Sequence, residues 1–232
     1  MNIAIILSGG VGSRMGLNTP KQYVRVSNKM IITYSLNTFL RHSEINAVII
    51  GCAEEWKEAI QEDISQIEMS KIIAWAQAGE TRQYSIYNAL KVAQEVANGQ
   101  PCNVIIHDAA RPLVSDNLIT NCIEGCIDSD GVMPVIPVKD TIYQSTDGKS
   151  IDALLNRSQL WCGQAPEAFQ LKKYLAIHEA MTHEEILQIN GSTEIAFRAG
   201  LNCKMIEGDP MNFKITTSED LIAFKNIIAN TQ

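Results

Sequence analysis

Two clusters of charged residues stand directly after apolar runs in this chain, and both suit phosphate chemistry. The first is "ILSGGVGSRMGLNTPKQY" at 6–23, where an apolar run at 3–7 empties into Gly9, Gly10 and Gly12, with Arg14 and Lys21 close behind. Glycines tolerate positive φ and close backbone approach, and the N–H groups of such a loop receive an anion. A lysine and an arginine beside it would neutralise the oxygens of a triphosphate under attack, together with a magnesium ion. The second is "HDAARPL" at 107–113, at the carboxyl end of another apolar run. There Asp108 suits a hydroxyl or a hydrated metal, and Arg111 suits a phosphate held as a fork. His107 reads as a packed, hydrogen-bonded residue, because phosphate oxygens are already ionised and need no base.

The glycine run fits neither of two familiar phosphate loops. A dinucleotide fingerprint, GxGxxG, fails because Met15 stands where its third glycine belongs, and no Gly-Lys-Ser/Thr follows to make a Walker loop. A plain glycine turn with two solvated cations remains as the alternative to a triphosphate site.

The elements that must position these groups follow from periodicity. Apolar runs at 3–7, 47–53, 71–77, 103–109, 131–138 and 203–208 read as strands. Between and after them, 30–42, 82–99, 115–129 and 218–230 carry apolar residues at spacings of three and four. Ser115 and Ser218 are placed to cap two of these helices, and "EEWKEAIQED" reads as a solvated helix face with Trp56 packed on the sheet. The alternation predicts an α/β fold with a mostly parallel, Rossmann-like twisted sheet, covered on both faces, in a single domain over 1–232. Ligands of such sheets bind outside the carboxyl ends of the strands, where both clusters lie. The stretch 139–169 breaks the alternation. Its Asp147-Gly148 pair predicts a hairpin turn between two short strands, an arm over 139–160 whose exposed edges a second subunit would cover. Trp75 and Trp161 are expected in the core or at an interface.

Composition narrows the classes. With 46% hydrophobic and 19% charged residues, the 232-residue chain has a globular balance, and no apolar run approaches the roughly 20 residues of a membrane span. A formal charge of −7 argues against a protein that coats nucleic acid. No signal peptide opens the sequence, so a cytoplasmic location is expected. The six cysteines, at 52, 102, 122, 126, 162 and 203, show no CxxC spacing and read as free thiols. Cys122 and Cys126, four apart on a helix, lack the further ligands of a zinc site.

Taken together, "LSGGVGSRMG", "PKQY" and "HDAARP" resemble the 2-C-methyl-D-erythritol 4-phosphate cytidylyltransferase family, which includes ribitol-5-phosphate cytidylyltransferases. The resemblance runs essentially the whole chain. It implies a nucleotidyltransferase-type fold with a projecting hairpin dimerisation arm, and transfer of CMP from CTP to a polyol phosphate with Mg²⁺ present and pyrophosphate released. Arg14, Lys21 and Lys214 would be catalytic, stabilising charge at the α-phosphorus. Leu7, Ser8, Gly9, Gly10, Gly12, Gly79, Arg82, Ser85, Asp108 and Ala109 would bind the nucleotide. Asp108, Arg111, Thr141, Arg157 and Ala165 would meet the acceptor, with Thr141 and Arg157 reaching the site of a second copy in a homodimer.

Two departures from the family pattern bear on the acceptor. Ala165, in "GQAPEAF", replaces a threonine hydroxyl, and "INGSTEIAFRAG" at 189–200 lacks the acidic pair that usually precedes its helix, leaving Thr193 and Glu194 as possible substitutes. The "GQAP" and "GGVGSRMG" forms lean towards a surface-polymer polyol such as ribitol 5-phosphate over methylerythritol phosphate. A catalytically silent nucleotide-binding module, a transferase for another phosphate acceptor and a dinucleotide-dependent oxidoreductase are the alternatives. The first of these has to explain why every expected charged residue is retained.

Overall fold

A computed structural model describes residues 1–10, 19–65 and 71–231. Gly12 and Arg14 lie outside the described residues. In chain order the strands are β1 (Asn2–Leu7), β2 (Arg25–Val26), β3 (Lys29–Met30), β4 (Ala47–Cys52), β5 (Ile72–Gln77) and β6 (Asn103–Asp108). The second half adds β7 (Gly131–Pro137), β8 (Tyr143–Gln144), β9 (Ala153–Leu154), β10 (Trp161–Gly163), β11 (Glu167–Gln170) and β12 (Cys203–Glu207). All six expected strands are present.

β1 pairs in parallel with β4 on one side and β6 on the other, and β4 pairs in parallel with β5. The register of β1 on β6 sets Leu7 beside Asp108, so the two chemically charged loops leave the sheet next to each other. β11 breaks the parallel order, running antiparallel between β6 and β7, with Glu167 opposite Ile106. β10 also pairs antiparallel with β7, and β12 runs parallel to it. Residues 161–170 thus return to the main sheet rather than extending the hairpin.

Helices cover both faces. They are α1 (Ile31–Arg41), α2 (Lys57–Ile64), α3 (Arg82–Ala97), α4 (Asp116–Gly125), α5 (Leu171–Glu179), α6 (His183–Leu187), α7 (Ser192–Arg198) and α8 (Ser218–Thr231). Successive strand residues face opposite ways, and the core divides accordingly. Ala4, Ile6, Val48, Ile50 and Ile105 pack with Leu36, Phe39, Ile60, Leu118 and Ile119 of α1, α2 and α4. Ile3, Ile5, Ile49, Val104 and Ile106 pack with Ile86, Leu90, Tyr174 and Ile195 of α3, α5 and α7. A third cluster seats Phe224 and Leu221 of α8 against Val26 and Ile31.

Ser115 caps α4 as expected, its side chain accepting from Leu118 N–H. The cap expected of Ser218 falls one residue earlier. Thr217 Oγ1 accepts from Asp220 N–H, while the Asp220 carboxylate accepts from Thr216 and Thr217 N–H. Trp56 stacks on Tyr23 with centroids 4.1 Å apart. Trp75 is partly buried against the core, whereas Trp161 is 49% exposed in the single chain, so the core is not its place. The predicted hairpin forms, β8 antiparallel to β9, with Gly148 at φ +68° in the turn.

Ile49 is fully buried between β1 and β5 under α3. Ile49→Ala is expected to cost about 3 kcal/mol through lost transfer energy and the cavity left behind. Urea unfolding followed by circular dichroism should show a lower midpoint at an unchanged slope.

Candidate active site

Asp108 ends β6 and is nearly buried, an unfavourable place for a lone carboxylate. Its charge is met from two distant segments and by a near neighbour in the chain. Arg82 at the start of α3 donates Nε to Oδ1 at 2.9 Å, Lys214 donates Nζ to Oδ2 at 2.8 Å, and Arg111 Nε lies 3.8 Å from Oδ2. Burial alone would raise the Asp108 pKa; Arg82 and Lys214 outweigh it and hold the carboxyl well below its usual range. Burial likewise opposes the charge on Arg82, and Asp108 with Glu167 reverses that, pushing the guanidinium pKa upward.

These residues line a cleft of about 660 Å³ together with Ala165, Gln164, Glu167 and the segment 190–194. Its scaffold is made of hydrogen bonds between segments. Arg111 Nη1 donates to Asn212 O at 2.7 Å, Asn212 Nδ2 donates to Ala165 O at 2.6 Å, and Ile215 N donates to Ala110 O at 2.8 Å. Lys214 sits in the segment so pinned and keeps 35% of its side chain exposed towards the cleft.

The glycine loop is built beside it. Ser8 N and Oγ both donate to Gly51 O, and Ala109 N donates to Leu7 O. Gln22 Nε2 donates to Ser8 O at 2.5 Å and to Gly10 O at 2.7 Å, and Tyr23 Oη donates to Ser8 O at 2.9 Å. Lys21 opens that same turn, Lys21–Tyr23, so it is anchored to the loop by its two neighbours. A Cβ on Gly9 would lie 2.6 Å from Ala78 Cβ, and one on Gly79 would lie 2.9 Å from Ser85 N. Ser85 Oγ accepts from Gly79 N–H and donates to Thr81 O, tying the end of β5 to the start of α3.

The geometry places the expected residues in turn. Gly9 and Gly10 do not adopt positive φ; Gly9 is required by close approach to Ala78. Asp108 is engaged with cations, and Arg111 directs Nη1 to backbone, while its buried Nε faces Asp108 without making a hydrogen bond. His107 behaves as a packed residue: Nε2 meets Arg111 O at 2.9 Å, and burial lowers its pKa to about 4. Thr141 and Arg157 are exposed and not among the residues lining the cleft; Arg157 Nη1 donates to Lys139 O. Glu194 is tied up locally, accepting from Asn190 N–H and pairing with Arg198 at 2.6 Å.

Residues 2–230 match the family model described as IspD, 2-C-methyl-D-erythritol 4-phosphate cytidylyltransferase. The chain belongs to the IspD family. Among similar IspD relatives, the ribitol-5-phosphate cytidylyltransferase of Streptococcus agalactiae serotype Ia is 29% identical, over 97% of this chain and 94% of its own. The 2-C-methyl-D-erythritol 4-phosphate cytidylyltransferase of Geobacillus kaustophilus is 30% identical, over 98% of this chain and 96% of its own. The structure titled 4-diphosphocytidyl-2C-methyl-D-erythritol synthase from Anaerococcus prevotii superposes with a TM-score of 0.81 at 25% identity, covering 99% and 96%. The α/β sheet and the cytidylyltransferase class expected from the sequence are those of the IspD family, and neither a silent binding module nor an oxidoreductase is.

Glu167, Gln22, Tyr23, Ser192 and Asn212 were not among the expected site residues. The first four sat inside quoted motifs, "GQAPEAF", "PKQY" and "INGSTEIAFRAG", and being polar next to apolar or glycine-rich runs was the available signal. Among the described residues no three His, Cys, Asp or Glu side chains form a metal-holding group, and both Asp108 oxygens already face cations. This donor set does not fit a resident metal. No helix among the described residues is long and apolar enough to cross a membrane.

Asp108→Asn removes the charge that compensates Arg82 and Lys214. It is expected to lower stability at pH 7 by about 3 kcal/mol, as for one partner of a buried pair removed. Because the folded pKa of Asp108 is depressed, its contribution is present above about pH 4, the unfolded value, and is lost as pH falls further. Urea titrations of both proteins from pH 7 to pH 3 should show their difference shrink below about pH 4.

Proposed function

We propose that this chain transfers CMP from CTP to a polyol phosphate and releases pyrophosphate. The observation that carries the reading is Asp108 held by Arg82 and Lys214 at the mouth of a parallel sheet, beside the loop clamped by Gln22. An oxygen of the acceptor phosphate attacks the α-phosphorus in line, forming a new P–O bond. The bond from that phosphorus to the bridging oxygen breaks, and its electron pair leaves on pyrophosphate. No proton need be removed, so the work of the protein is alignment and charge stabilisation. Lys21 and Lys214, with Arg14, neutralise the charge gathered at that centre. Leu7, Ser8, Gly9, Gly10, Gly12, Gly79, Ser85 and Ala109 receive the nucleotide. Mg²⁺ arrives on the triphosphate as part of the substrate, since this ion is ordinarily held largely by phosphate oxygens and water.

The acceptor we favour is of the ribitol 5-phosphate type, supported by Ala165, which brings no hydroxyl to the cleft, and by relatives of that name. Methylerythritol 4-phosphate is the second reading, favoured by the Geobacillus relative. The protein would work in the cytoplasm as one domain over 1–232, in line with its six unpaired cysteines. A homodimer through the 139–160 arm is supported by the exposed Tyr143, Ile151, Leu154 and Trp161. In it, Thr141 and Arg157 of one copy would hold the acceptor phosphate bound to the other.

Pyrophosphate release with MgCTP is expected with one of ribitol 5-phosphate, methylerythritol 4-phosphate, ribulose 5-phosphate or glycerol 3-phosphate, and not with ATP, GTP or UTP. Silence across that panel would sink the proposal. Lys21→Ala should lower turnover by about two to three decades while its thermal unfolding stays near that of wild type. Lys21→Ala and Arg157→Ala proteins, each weak alone, should regain about a quarter of wild-type activity when unfolded and refolded together, because a mixed dimer then carries one intact shared site. No recovery would show that each site lies within one chain.

A further inference from the structure

Glu167 is the second carboxylate of the cleft, 7% exposed, and every oxygen it has is used. Oε2 lies 3.4 Å from Arg82 Nη2. Oε1 accepts from the backbone N–H of Thr193 at 3.2 Å and from Thr193 Oγ1 at 2.7 Å. Thr193 is the second residue of α7, whose cap position is Gly191, a residue with no side chain to accept from the first turn. Strand β11 therefore supplies the acceptor that the helix sequence does not.

Arg82 makes the same connection from the other side. Its Nε reaches Asp108 Oδ1 at 2.9 Å and its Nη1 reaches Ser192 Oγ at 2.5 Å, while Nη2 faces Glu167. All three guanidinium nitrogens are thus committed, to the end of β6, the start of β11 and the start of α7. The segment 190–194 forms one wall of the cleft, and Asp108 with Lys214 forms another. Arg82 and Glu167 join the two walls.

We infer that Glu167 is a positioning residue of the transfer reaction: paired with Arg82 and bonded to Thr193, it fixes the 190–194 wall against the Asp108 cluster, and so aligns acceptor with nucleotide. This rests on the transfer activity proposed above. Neutralising Glu167 leaves Arg82 one carboxylate instead of two and weakens the hold on Thr193, so the walls lose their register. Small misplacements of that kind cost about a hundredfold in rate where reaction depends on alignment.

The test is Glu167→Gln, which keeps the shape of the side chain and removes its charge. With both substrates saturating, kcat should fall about ten- to a hundredfold, and both KM values should stay within about threefold. Adding Ser192→Asp to that variant places a carboxylate where Ser192 Oγ already meets Arg82, and kcat should recover to within about threefold of wild type. Thermal unfolding measured alongside separates positioning from folding, since a role confined to stability lowers Tm and leaves kcat of the folded enzyme alone. An unchanged kcat in Glu167→Gln, or a loss that Ser192→Asp does not restore, would overturn the inference. Wild-type protein that releases no pyrophosphate with any acceptor would instead overturn the activity on which it rests.

Discussion

The Asp108 carboxylate organises this molecule beyond its own strand. A carboxylate with so little access to water must be compensated, and the compensation comes from residues 26 and 106 positions away in the chain. Recruiting Lys214 requires the 212–216 segment to lie across the sheet end. Asn212 and Ile215 meet that need by bonding to Ala165 and Ala110, and the segment then delivers α8 to its place against Val26 and Ile31. The site and the closure of the C-terminal third are therefore one set of interactions. Removing the charge is a disturbance to both.

The same cluster explains how an acidic protein can handle an anionic substrate. The chain carries a formal −7, yet Arg82, Arg111 and Lys214 are gathered within one cleft whose buried acids are Asp108 and Glu167. Fields in a cleft with low-dielectric walls are set by the nearest charges more than by the total. Each acid there is itself bonded to cations or N–H groups, so it orients them instead of repelling a phosphate. Lys214, partly exposed and held at one end by Asp108, is aimed without being fully neutralised.

How much of this was legible in the sequence depends on the range over which the causes act. The strands β1, β4, β6 and β7 could be read because a continuous β-branched run bounded by glycine or polar residues has little other use. β10 and β11 could not. They are three and four residues long, interrupted by Gln164, Ala165 and Pro166, and their apolar content is too small to carry a period. The site divides the same way. Glycines, Asp108 and Lys21 were legible as types placed after strands, and Lys214 only through the family resemblance, but which cation meets Asp108 is decided by the sheet order, and that order places β11 where no periodicity announced it. Asp108 and Arg111 show the limit: residue type says what a group can bind, not that Arg82 and Lys214 reach the one or that the Asn212 carbonyl receives the other.

The glycine loop makes the point at finer grain. A glycine after a strand suggests positive φ, but at Gly9 the constraint is steric, set by Ala78 across the sheet from another part of the chain. The carbonyl of Ser8 is fixed by Gln22 and Tyr23. In a trans planar peptide the N–H of the next residue points opposite to that carbonyl, so the Gly9 N–H is turned to the side of the loop away from Gln22. The amide that would receive an anion is thus oriented by a side chain that never touches it. Glycine at position 9 and glutamine at position 22 are two halves of one requirement, close approach on one side and a fixed peptide plane on the other, and Lys21 shares the turn that satisfies it.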